Sequence, residues 1–343
     1  MISNRFRLAS CVWTVLVVLF TPLAHAQGWQ ESSITVNGVE RWYRVYVPAA
    51  LPRHAPLLLS LHGGTGSMHT IDKGPTHGWV RLADQQRFLL VAPNGTNGET
   101  GNAHGNRQTW NDLRSNPAES QSKADDVGFV RALLDHVEAE YATDSTRVYV
   151  TGNSNGGMMT YRLLIEMPDR FAAAAAFIAN IPVESKSLRP PARPVPLMIW
   201  SGTDDRLAKY NGGEIPGGRG KVRSVPDTVA WWVQANRANA GRVQTEMLPD
   251  VNPKDGCRIN RTMYPALTDG APVLFYLAEG GGHTMPTQTE TSSEGGPIYK
   301  LLVGRTCRDV DGADIAWQFM RHFTSHRKFA TSTGPTNQST RTR

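Results

Sequence analysis

The chain has 343 residues, of which 40% are hydrophobic, 19% charged and 8% aromatic, so wholesale disorder is excluded and one large α/β domain is accommodated. Its 36 Lys and Arg against 30 Asp and Glu give a net charge of +6, with the basic residues scattered. Nucleic-acid binding needs basic residues clustered on one face, so that class is set aside.

Residues 1–26 read as an export leader. Arg5 and Arg7 form a basic start, residues 12–23 are almost unbroken apolar, and Ala24-His25-Ala26 offers the small residues that a signal peptidase reads. The apolar run is too short to span a bilayer comfortably, so no membrane association is expected after cleavage, and the mature protein should be secreted or periplasmic. Cys11 leaves with the leader. Cys257 and Cys307, 50 residues apart, are then the only possible pair, and an oxidising compartment favours a disulfide between them.

The mature chain opens on strands at 34–36 and 41–47 around Asn37-Gly38, a strong hairpin signal. Buried-strand runs follow at 57–61, 88–92, 148–151, 171–178, 197–200 and 273–277, each ending in glycine or a polar turn. Helical patterns lie at 127–139, 157–167 and 225–234, and an amphipathic helix at 315–323 closes the domain. An antiparallel hairpin followed by alternating strands and helices predicts an α/β fold with a mostly parallel central sheet covered by helices on both faces. The catalytic domain is assigned to 27–326, and the Ser/Thr-rich segment 327–343 reads as a loose tail.

One segment carries the chemistry. Val148-Tyr149-Val150-Thr151 runs as a strand into Gly152-Asn153-Ser154-Asn155-Gly156 and then into a helix. A nucleophilic serine at such a turn has strained backbone angles, and side chains two positions either side would clash, so glycine is required there. The helix start also aims N–H groups at a developing oxyanion. A serine hydroxyl needs a base, and the base an orienting acid, in chain order Ser, acid, His. His283 follows the last predicted strand in a glycine-rich loop, whereas His322 and His326 lie in or past the closing helix. The acid should follow the strand at 197–200, where both Asp204 and Asp205 qualify by position. After the strand at 57–61, His62-Gly63-Gly64-Thr65 matches an oxyanion loop: Asn155 would supply one N–H and either Gly64 or Thr65 the other. His62 reads as a support for that loop. No His-Glu-x-x-His or Cys-x-x-Cys occurs, and the glycine spacing is wrong for a dinucleotide fingerprint, so neither metal nor cofactor is expected.

Five motifs in order, Leu61-His62-Gly63-Gly64, Asp125-Asp126-Val127-Gly128-Phe129, Gly152-Asn153-Ser154-Asn155-Gly156-Gly157-Met158-Met159, Gly202-Thr203-x-Asp205 and Gly281-Gly282-His283-Thr284, resemble the poly(3-hydroxybutyrate) depolymerase-like esterases. These are similar to the feruloyl and acetylxylan esterases of carbohydrate esterase family 1. The resemblance runs from about residue 35 to 323. It implies a secreted α/β-hydrolase that cleaves carboxylic esters without a cofactor, and it places the acid on Asp205. This chain departs from the family pattern at Ser201, where histidine is frequent, and at Met285-Pro286-Thr287, where Trp-Pro-Gly is frequent; both lie beside the expected pocket. Family members also carry a tryptophan near Trp110, which could therefore line an acyl or aryl pocket. The expected partner is an ester, small or polymeric: of the polyhydroxyalkanoate type or a small or aryl ester, with feruloyl or acetylated polysaccharide esters as the alternative. A catalytically inactive hydrolase fold used for binding would have no need to keep Ser154, Asp205 and His283 together.

Overall fold

In the computed structural model the described residues are 26–114, 121–185, 188–289 and 301–325. The expected leader falls outside them save for Ala26, and the expected tail falls outside them entirely.

The chain opens on β1 (Gly28–Val36) and β2 (Val39–Val47), paired antiparallel along their whole length about a two-residue turn. Asn37 and Gly38 have φ of 51° and 77°, the left-handed pair that a tight hairpin turn demands. β1 begins six residues earlier than its apolar pattern suggests, because ladder pairing with β2 extends a strand of mostly polar residues.

There follow β3 (Leu57–Leu61), helix α1 (Gly78–Gln86), β4 (Leu89–Pro93), α2 (Asp126–Tyr141), β5 (Val148–Asn153), α3 (Asn155–Glu166), β6 (Ala173–Phe177) and β7 (Leu197–Gly202). A small hairpin, β8 (Gly213–Glu214) and β9 (Lys221–Val222), precedes α4 (Val225–Ala235), β10 (Gln244–Met247), β11 (Arg258–Tyr264), β12 (Val273–Glu279) and a last helix, α5 (Gly312–Met320). The main sheet is ten-stranded in the order β1-β2-β4-β3-β5-β6-β7-β12-β11-β10. From β4 to β12 every neighbouring pair is parallel, while both flanks are antiparallel. This is the expected fold class, and its parallel strands are the continuous apolar runs of the sequence, buried on both faces.

Strand alternation explains the two layers of core. Leu57 and Leu59 point one way, into a cluster with Phe129 and Leu133 of α2, Tyr161 of α3 and Trp232 of α4. Leu58 points the other way, into a cluster with Trp79 and Leu82 of α1 and Trp317 and Met320 of α5. Trp200 and Trp232 are fully buried, and Trp231 meets Trp232 edge-on. Helix α1 buries Trp79, Val80, Leu82 and Ala83 along one face, but strands β10 and β11 carry no clear apolar period. All four residues of β10 are exposed, and arginines interrupt β11, so ladder pairing onto β12 sets them.

Candidate active site

Ser154 stands at the junction of β5 and α3 with φ 55° and ψ −119°, a left-handed backbone held by a non-glycine residue. The flanking glycines are sterically required. A Cβ on Gly152 would lie 2.3 Å from the Gly156 carbonyl oxygen, and one on Gly156 only 2.4 Å from that of Leu61. The strain is held by backbone bonds: Ser154 N–H donates to Phe177 O (2.9 Å), and Met158 N–H to Ser154 O (2.9 Å). Helix α3 starts at Asn155, two residues before its apolar pattern does, which brings the positive end of the helix dipole directly against Ser154.

His283 and Asp205 come from the loops after β12 and β7. His283 Nδ1 donates to Asp205 Oδ2 at 2.7 Å, with both side chains almost fully buried, and this leaves Nε2 as the ring's acceptor. The other carboxylate oxygen of Asp205 accepts from the N–H groups of Leu207 and Ala208, both at 2.8 Å. Asp204 is exposed; its backbone N–H donates to Gly281 O (2.8 Å), and its carboxylate takes the Thr203 hydroxyl. Of the two aspartates that sequence position left open, only Asp205 meets the imidazole.

The His62 loop lies against the serine turn. A Cβ on Gly63 would stand 3.7 Å from Ser154 Cβ, and one on Gly64 would stand 3.5 Å from Asn155 Cβ. His62 is buried within the loop. Its Nε2 accepts from Gly95 N–H (3.0 Å), its Nδ1 pairs with Gly63 O (2.8 Å), and its ring stacks on Trp110 with centroids 4.7 Å apart. Burial pushes its pKa down from 6.5 to about 4, so it is held as a neutral support.

Trp110 requires a correction. It is fully buried and absent from the cavity wall, so a direct pocket contact is replaced by a role one layer behind. Its indole N–H donates to His62 O (2.9 Å), and its backbone N–H to Asn155 Oδ1 (2.7 Å). Sequence reading missed Asp112 beside it. The Asp112 carboxylate accepts from Asn155 Nδ2 (2.7 Å) and pairs with the buried Arg114 at 2.5 Å. The residue after the serine is thereby clamped by the 110–114 segment. The one sequence signal was a polar run, Asn111-Asp112, between Trp110 and Leu113, both buried.

Cys257 and Cys307 form a disulfide with Cα atoms 5.5 Å apart. It anchors the segment that backs the His283 loop: Gly282 N–H donates to Arg305 O (2.8 Å), His283 N–H to Val303 O (2.5 Å), and Thr287 N–H to Cys307 O (3.1 Å).

Ser154, Asn155, Gly64, Thr65 and His283 all line one cavity of about 850 Å³ at the carboxyl ends of the parallel strands. Met285, at the departure from the family pattern, lines it as well, whereas Ser201 is buried and is not among its lining residues. A serine on a strained turn, an imidazole oriented by a carboxylate and backbone N–H groups at a helix start can together carry out acyl transfer.

The profile of the prolyl oligopeptidase family matches residues 106–211, which include the serine turn. NocK of Nocardia uniformis subsp. tsuyamanensis, a protein assigned as an esterase, is 28% identical over 305 residues, covering 84% of this chain and 81% of its own. Poly(3-hydroxyalkanoate) depolymerase C of Paucimonas lemoignei is 32% identical over 130 residues; the match covers 38% of this chain and only 29% of that protein. Among solved structures, an acetyl xylan esterase from Aspergillus awamori superposes with a TM-score of 0.51 at 15% identity, over 80% of this chain and 98% of that one. That likeness is one of fold.

Proposed function

We propose that this chain, a carboxylic ester hydrolase of the α/β-hydrolase fold, works through an acyl-enzyme formed on Ser154. His283 Nε2 takes the proton as Ser154 Oγ attacks the ester carbonyl carbon. Asp205 holds the ring's tautomer and stabilises the imidazolium. The N–H groups of Asn155 and of Gly64 or Thr65 take the negative charge of the tetrahedral oxyanion. The imidazolium then protonates the leaving alkoxide as the carbon–oxygen bond breaks. Water, deprotonated by His283, attacks the acyl-enzyme; a carboxylic acid leaves and Ser154 regains its proton. The observation that carries this reading is the Asp205–His283 hydrogen bond, set beside a serine with φ 55° in one cavity.

The proposed substrates are polyhydroxyalkanoate-type or small or aryl esters, a reading that the depolymerase and esterase relatives support. Feruloyl or acetylated polysaccharide esters are the alternative. The catalytic domain spans 27–326 of a protein exported by its leader, and the disulfide suits an oxidising compartment. Among the described residues no helix is long and apolar enough to cross a membrane.

The test is mass spectrometry of a fluorophosphonate adduct, with p-nitrophenyl butyrate, methyl ferulate, acetylated xylan and a polyhydroxybutyrate suspension assayed alongside. One adduct per chain on Ser154, lost in Ser154→Ala together with hydrolysis, is expected. An unlabelled Ser154 in folded protein, with no ester cleaved, would return the chain to the class of inactive binding folds.

A further inference from the structure

Among the described residues, the charge of the cavity wall is one-sided. Among the described lining residues are six cations, Lys73, Arg114, Arg206, Arg219, Arg305 and Arg308, and a single carboxylate, Asp255. Arg114 is already answered by its buried pair with Asp112. Asp255 is turned toward the backbone, accepting from Cys257 N–H and Arg308 N–H, both at 2.7 Å. Arg206 and Arg308 also donate to the carbonyls of Leu301 and Thr289, and the described wall still carries more cations than carboxylates across a space that also holds the reactive serine.

Arg219 is the most telling of these cations. It sits in the loop between β8 and β9, half-buried, with Nε donating to Pro216 O (2.7 Å) while its own carbonyl accepts from Arg114 Nη1 (2.6 Å). Its guanidinium is thus fixed at the wall, and among the described residues neither of its Nη nitrogens has a protein partner. Burial, and then the neighbouring Arg114 charge, push its pKa below the usual arginine value, so this cation gains by meeting an anion. Ile215 and Met158 line the same cavity, so the wall is apolar as well as basic. A confined cationic wall raises the local concentration of anionic substrate, and a guanidinium matches a carboxylate with two parallel hydrogen bonds.

We infer that the cavity takes esters that also carry a carboxylate, apolar near the scissile bond and anionic at the far end, with Arg219 as the contact that reads the charge. This rests on the esterase reading above and names the substrate class within it.

The test uses the oxidised mature protein and two matched pairs. On the acyl side, mono-p-nitrophenyl adipate is set against p-nitrophenyl hexanoate. On the alcohol side, 4-carboxyphenyl butyrate is set against phenyl butyrate. In at least one pair the anionic ester should have the higher kcat/KM, by on the order of tenfold to a hundredfold, the range of a charge-assisted hydrogen bond. The advantage should shrink as salt is raised. Arg219→Gln should collapse the anionic-to-neutral ratio toward one, and Arg219→Lys, which keeps the charge but loses the paired hydrogen bonds, should keep only part of it. The ratio is independent of the amount of active protein, so partial misfolding of a variant leaves it readable. Neutral esters favoured in both pairs, or a ratio unmoved by Arg219→Gln, would overturn the inference and leave the esterase reading standing. Folded protein that cleaves neither member of either pair would overturn both.

Discussion

Around Ser154 the turn is signalled by what lies nearby in sequence, two glycines, the end of β5 and the start of α3, and it is held against Leu61, His62 and Phe177. Asp205 and His283 are 78 residues apart and are brought together by loops with no regular structure of their own. The serine turn is held by close backbone approach, where no space remains for a methyl. Asp205 and His283 are held by tertiary ties: strand pairing of β7 with β12, the backbone bonds to 303–307, and the disulfide behind them. One half of the site is therefore a steric fit around a locally encoded turn, and the other is a matter of long-range tethering. The two halves should fail in different ways when perturbed.

The largest effect is expected where the chemistry itself is removed. Ser154→Ala should cost on the order of 10⁴-fold or more in turnover, leaving the fold and the oxyanion donors in place. Circular dichroism should be unchanged while ester hydrolysis falls to background; a variant keeping a tenth of the rate would show that the serine is misassigned. On the tethered side, Asp205→Asn should lower kcat by roughly a thousandfold or more, since an asparagine cannot hold the required imidazole tautomer or stabilise the imidazolium. Asp204→Asn, exposed and out of reach of the ring, should stay within a few-fold of the parent. The reverse ranking would shift the acid by one residue.

Stability separates the halves next. Replacing both Cys257 and Cys307 by serine opens a loop of 50 residues, which the chain-entropy account values at roughly 4 kcal/mol. Urea unfolding should register that loss, and activity should fall with it because the His283 loop loses its backing. At the serine turn, Gly156→Ala forces a methyl against the carbonyls of Leu61 and His62, and should cost roughly 3 kcal/mol with activity lost in what remains folded. Thermal melts of the two variants, each paired with its residual kcat, would show whether the local half is the more brittle.

A pH-dependent difference, full-sized only at the acid end of its range, is expected from His62, which belongs to the steric half. Its pKa is about 4 in the fold against 6.5 as the ordinary value. Between those limits the unfolded chain binds a proton that folded His62 does not, so stability is full above pH 6.5 and declines as pH falls toward 4. The decline should total roughly 3 kcal/mol. Urea midpoints measured across this window should fall, and His62→Gln should flatten that part of the curve. An unchanged slope would mean that His62 is not held neutral.

Much of this was legible before any coordinates. The apolar runs at 57–61, 148–151 and 197–200 are strands because β-branched and aliphatic residues fit a sheet buried on both faces. Asn37-Gly38 encodes its own turn, and the glycines flanking Ser154 encode the strained junction, since only glycine tolerates such close backbone approach. Each of these signals is written within a few residues of the structure it produces.

What needed the folded chain is what depends on distant segments meeting. Spacing could not separate Asp204 from Asp205; resemblance to a family pointed to Asp205, and the fold sets its carboxylate 2.7 Å from the His283 ring. Trp110 could as well have faced a ligand as the core, and only its bonds to His62 and Asn155 place it behind the wall. Strand β10 is polar and wholly exposed, so its pairing with β11 leaves no periodic trace. The basic residues look scattered along the sequence, yet Lys73, Arg114, Arg206, Arg219, Arg305 and Arg308 converge on one cavity. Local periodicity and turn chemistry determine elements, because they act over a few bonds. Convergence of charge and the partner of a carboxylate are decided by loop paths, which carry no repeat for the sequence to display.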